Sequence, residues 1–132
     1  MGDDNGLLPN IVNELVENIK RYKTEVLHGA LLNYCWPSHK IEHVRNQLEI
    51  PLNDGVSITN SSKALRLFYK GYLNFAYLPT INNAFVDINL LRKIRNKTNG
   101  RFFNSIVPDV YSSIVIAYST EKYLYLHRPY SI

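Results

Sequence analysis

Residues 109–119, DVYSSIVIAYS, are apolar on nearly every side, and no other stretch constrains this chain as much. An element without a polar face has to be enclosed, so the remaining residues must supply layers around it. Periodicity leaves a buried helix and a buried strand both open; the length of the run and the Pro108 before it favour helix. A chain of 132 residues is the size of one domain, which buries roughly two-thirds of the surface its unfolded form exposes. One core fits that length and two do not. Apolar content of 45% with 20% charged residues describes an ordinary globule and argues against a disordered or fibrous chain.

The rest of the pattern alternates. Ile11, Val12, Leu15, Val16 and Ile19 share one helical face, with Asn13, Glu14, Glu17, Asn18 and Lys20 opposite. That spacing predicts an amphipathic helix over 9–22, with Pro9 in its first turn. EVLHGALLNY has strand character and ends at WPSH; QLEIPL reads as a second strand, closed by Asn53-Asp54-Gly55. TNSSKALRLFYKG predicts a helix capped by Asn60 or Ser61 and stopped at Gly71. Asp87 caps a shorter helix through Leu90, Leu91 and Ile94 that ends near Asn99-Gly100, and YLYLHR forms a final strand. With no internal repeat, low-complexity tract or linker, the elements compose a single α/β unit.

A formal net charge of +4 mildly favours anionic partners such as phosphate-bearing ligands or RNA. Ten Tyr suit a core, and they also suit stacking on bases or sugars. The lone Cys35 rules out an internal disulfide and points to a reducing, cytoplasmic setting. No stretch reads as a signal peptide or a membrane span, which leaves at most peripheral membrane contact. The sequons at Asn60 and Asn96 are therefore read as accidental.

The stretch GDDNGLLPN sets two carboxylates just ahead of the first helix. They admit two readings. Acidic residues oppose the positive end of a helix dipole, a contribution of about 0.3–1 kcal/mol. Adjacent carboxylates also grip a hard divalent cation, because Mg and Mn keep several waters and accept one or two protein carboxylates.

GDDNGLLPN resembles the acidic metal-binding turn of family 2 glycosyltransferases, which their GT-A fold places between a strand and a helix. LPTINNAFVDINLLRKI, GRFFNSIVPDVYSSIVIAY and YLYLHRPYSI resemble, in the same order, the second half of bacterial members. The resemblance implies a partial GT-A (Rossmann-like) fold, a mixed sheet with flanking helices, and a divalent metal, Mn or Mg. Asp3 matches the acid that contacts the ribose of a nucleotide-sugar donor. Asp4 matches the acid that coordinates the metal bridging the two phosphates, with Asp3 beside it, and Asn5 is a supporting nucleotide-sugar ligand. Asp109 falls where such enzymes keep the catalytic base, which takes a proton from the acceptor hydroxyl in an inverting transfer. The acceptor is a saccharide or another hydroxyl compound, which fits polysaccharide biosynthesis.

Each role has a structural rival. Asp109 equally suits a helix cap, and His127, comparable to a late metal-site histidine in some GT-A enzymes, reads first as a structural residue of a strand-like tail. Tyr34 and Trp36 suit an acceptor platform or core packing; RKIRNK reads first as a solvated helix face. In the family, a nucleotide-binding half precedes the acidic turn and the pattern continues past RPYSI. Residues 1–132 are thus expected to be the acceptor-side, C-terminal portion of a GT-A domain that binds donor weakly and transfers sugar poorly or not at all. A split enzyme, with a protein partner supplying the nucleotide-binding half, or a non-catalytic interaction fragment stays open. An RNA-binding module also stays open, although no RNA motif supports it and nucleic acid is not the expected partner.

Overall fold

The computed structural model describes residues 6–130. Helix α1 (Ile11–Tyr22) leads into β1 (Val26–Ala30), followed by a two-stranded ribbon, β2 (Asn33–Tyr34) and β3 (Leu48–Glu49). Strand β4 (Val56–Asn60) feeds α2 (Ser61–Tyr69), and two short 3-10 turns, Phe75–Tyr77 and Ile81–Asn83, precede β5 (Ala84–Val86). Helices α3 (Ile88–Lys97) and α4 (Pro108–Ser119) and strand β6 (Lys122–Pro129) complete the order. The main sheet runs β4-β6-β1-β5; β1 and β6 are parallel, and the edge strands β4 and β5 are each antiparallel to their neighbour. It is a mixed sheet flanked by helices, an α/β arrangement as the residue patterns predict.

Side chains of β1 and β6 alternate between two apolar layers, as the strand pleat requires. Val26 and Tyr123 join Leu65, Leu90, Ile94 and Ile116 beneath α2, α3 and α4. Leu27, Leu124, Leu126 and Tyr130 meet Ile11 and Leu15 of α1 on the opposite face. The apolar run 109–119 is helix α4, and Ile116 and Ala117 on it are fully buried. Arg128 at the end of β6 makes an ion pair with Glu14, which ties α1 to the sheet. The single domain therefore has its core in two layers, one on each side of one sheet.

Gly29 is required by close packing on the α1 side. A Cβ there would lie 2.6 Å from Tyr130 Cε1, and the Tyr130 ring is itself buried against Phe85. Gly29→Ala is expected to destabilise the fold by about 1–3 kcal/mol, an overpacking cost, as measured by urea unfolding. Combining it with Tyr130→Leu should cost less than the two single changes summed; strict additivity would show that the ring is not what the methyl meets.

Several local expectations are corrected. Helix α1 begins at Ile11, after Asn10 in the left-handed region (φ 61°), so Pro9 lies ahead of the first turn. EVLHGALLNY is two strands in two different sheets, divided at Leu31-Leu32, where the β1–β6 register also shifts between Gly29 and Ala30. QLEIPL keeps only the short, exposed β3. Strands β4 and β5 carry no local signal strong enough to predict them. By contrast, Asn60 caps α2 by accepting from Lys63 N–H, and Asp87 caps α3 by accepting from Asn89 N–H.

Candidate functional site

Because β1 and β6 are parallel, both end at the same edge of the sheet, and α4, which returns into β6, begins there. The described chain enters at this edge too, with Leu8 N–H donating to Tyr130 O at 2.9 Å. In α/β folds this end, beyond the carboxyl termini of the parallel strands, is where ligands bind.

Pro108 occupies the first position of α4, which puts Asp109 in the first turn, half-buried. Its Oδ1 accepts from Asn82 Nδ2. The adjoining residues fix that contact: Ile81 N–H donates to Ser112 Oγ at 3.2 Å, and Ser112 Oγ donates to the Asp109 carbonyl at 3.0 Å. On its other side the 80–83 turn is bound to β1, where buried Asn83 donates from Nδ2 to Gly29 O at 2.8 Å. His28 lies beneath, fully buried, with Nδ1 3.3 Å from Asn83 O. This turn is what carries the position of Asp109 from helix to sheet. Asp109 faces a hollow of about 200 Å³ bordered by Leu31, Phe75, Thr80 and Asn82.

Burial pushes the His28 imidazolium down to about pKa 4, and the carbonyls of Asn83 and Tyr77, which favour protonation, offset this only in part. His28 is thus a neutral ring whose Nδ1–H donates to Asn83, packed edge-on to Tyr123 and tilted against Tyr125. Tyr123 donates its hydroxyl to Tyr77 O at 3.0 Å, which fastens the Phe75–Tyr77 turn to β6; burial raises that phenol to about 12.

Asp3, Asp4 and Asn5 lie outside the described residues. Among the described residues no three His, Cys, Asp or Glu side chains cluster as a metal site would need. His127 is half-buried on β6, its ring edge-on to Tyr125 at 5.1 Å, and lines a second hollow next to the Asp109 hollow. Tyr34 and Trp36 are stacked edge-on at 5.2 Å, and Trp36 is 68% exposed, so NYCWP is not core. Arg92, Lys93, Arg95 and Lys97 are exposed on α3, with Leu90 and Ile94 buried behind them, a solvated helix face. No helix of the described residues is long and apolar enough to cross a membrane.

Sequence reasoning singled out Asp109 but missed Asn82, Asn83 and His28. An Asn pair in a loop and a lone His in an apolar strand carry no motif; these residues gain meaning only from meeting across the fold. No family model, curated protein or solved structure matches the chain.

Proposed function

We propose that this chain forms the acceptor side of a metal-dependent, inverting glycosyltransferase of the GT-A type, resembling family 2. Asp109 takes the proton of the acceptor hydroxyl, Asp4 with Asp3 holds Mn or Mg against the diphosphate, and Asn5 assists in donor binding. When bound, the cation would neutralise charge on the departing diphosphate. The observation that supports this reading best is Asp109 itself: a carboxylate in the first turn of α4, braced by Asn82 and facing a hollow at the carboxyl end of β1. The N-cap of α4 is Val107, without a side-chain cap hydrogen bond, so Asp109 does not cap this helix as the alternative reading expected. The chain also enters the described fold at that same end, three residues after Asn5.

Calorimetry with uridine diphosphate and Mn tests the donor half. Binding is expected to be weak, to require the metal, and to fall about tenfold or more in Asp4→Ala, since few protein ligands hold such a cation and losing one matters. Metal-independent binding, or an unchanged affinity in the variant, would refute the metal role.

A further inference from the structure

We propose that the acceptor taken at this site is amphipathic: a sugar ring seated in a polar hollow, joined to an apolar alkyl or aryl group that lies in a groove between β4 and α2. This rests on the transferase reading above and names the chemistry of its acceptor.

Three hollows adjoin around the segment 73–77. The one that Asp109 faces shares Leu31 and Ala76 with a polar hollow of about 340 Å³. That hollow in turn shares Tyr77 and Tyr125 with an apolar groove of about 310 Å³. Each of the larger two is within the range of small-molecule sites. Their linings differ in kind.

Asn33, Glu49, Asn53 and His127 converge on the polar hollow, and none of these side chains is hydrogen-bonded to a described residue. Asn33 and Glu49 are direct partners across the β2–β3 ribbon, so both project from the face turned to the hollow. Tyr34 belongs to the other face and carries Trp36 with it, which removes the aromatic pair from this site. Amides, a carboxylate and an imidazole offer donors and acceptors together, which is what neighbouring hydroxyls on a sugar ring require. Tyr125 adds an aromatic wall.

The groove beyond Tyr125 is the opposite. Ile58, Leu67, Leu73 and Tyr123 line it, with Lys63 the one charged side chain among its described walls. A sugar alone would leave that surface wet. An apolar group continuing from the sugar would cover it, and each methylene taken out of water tightens binding about fourfold. The walls shared by neighbouring hollows, Leu31 and Ala76 and then Tyr77 and Tyr125, set the order: the reacting hydroxyl at Asp109, the ring in the middle, and the apolar tail against α2.

The test compares methyl β-glucoside with octyl β-glucoside, the latter kept below its micelle concentration, by amide chemical-shift titration of the whole chain. The octyl compound is expected to bind at least tenfold more tightly and to shift amides around Leu67 and Leu73. Ile58→Glu, at a residue 55% exposed and therefore tolerant of change, and Leu67→Ala should each erase that advantage and leave methyl glucoside binding unaltered. Equal binding of the two glycosides, no binding of either, shifts confined to the Trp36 ribbon, or an advantage that survives both variants would overturn the proposal. An octyl advantage with no metal-dependent uridine diphosphate binding would remove the transferase reading and leave the ligand class of the groove standing, so the two failures are distinguishable.

Discussion

Lowering the pH from 6.5 to about 4 is expected to remove about 3 kcal/mol of folding stability through one side chain, His28. Burial holds this imidazole neutral in the native state down to about pH 4, whereas in the unfolded chain it takes up a proton near the ordinary 6.5. Across that window the unfolded state binds more protons, so stability falls as the pH falls; below about 4 both states are protonated and the loss is complete. Urea unfolding at pH 7 and 4.5 checks it. The wild type should lose about 2–3 kcal/mol more over this range than His28→Gln, whose neutral amide has no proton to gain. Equal losses in the two proteins would show that His28 is not the group concerned.

The same acid step should reach the candidate site before the fold is lost. His28 supports Asn83, Asn83 binds Gly29 O, and the neighbouring Asn82 braces Asp109. A charge forced onto His28 repels no neighbour; it demands water, and water enters most directly by separating the 80–83 turn from β1. Fold stability and the alignment of Asp109 are therefore coupled through a few hydrogen bonds.

How much of this the sequence revealed depends on how local the cause is. Helices α2 and α3 were legible because their caps are set within three residues, Asn60 with Lys63 and Asp87 with Asn89. Helix α4 was legible from an apolar run too long for a typical strand together with Pro108. Strands β4 and β5 were not, since short edge strands become strands by pairing with β6 and β1, residues far away in the chain. The apolar run 25–34 likewise holds no local signal for its break at Leu31, because its two parts pair with distant strands, β1 with β6 and β5 and β2 with β3. The site divides in the same way. Asp109 follows from its place after Pro108 and from the resemblance of its surroundings, whereas the Asn82 brace, the Asn83 bridge and the His28 floor exist only once residues 27 to 55 positions apart are brought together.

Asp109→Asn separates a catalytic base from a first-turn acid that only opposes the helix dipole, because asparagine keeps the shape and one acceptor oxygen but not the basicity. As a first-turn acid, the carboxylate contributes through the dipole of α4, so its loss should cost about 0.3–1 kcal/mol of stability, and an asparagine side chain can still pair with Asn82. As a base, it removes a proton in the rate-limiting attack, a contribution typically of about 10²–10⁴ in rate. The slow Mn-dependent transfer to octyl β-glucoside that this chain could support, followed as accumulated product with the best donor from a panel of nucleotide sugars, is expected to fall below detection in Asp109→Asn while the urea midpoint scarcely moves. On the roles proposed above donor binding should persist, since Asp109 would serve the acceptor hydroxyl while Asp3 and Asp4 would hold the metal. A variant that transfers sugar at the wild-type rate would leave Asp109 a first-turn acid with a structural role, and one that loses stability and transfer in proportion would show that Asp109 acts through the fold alone.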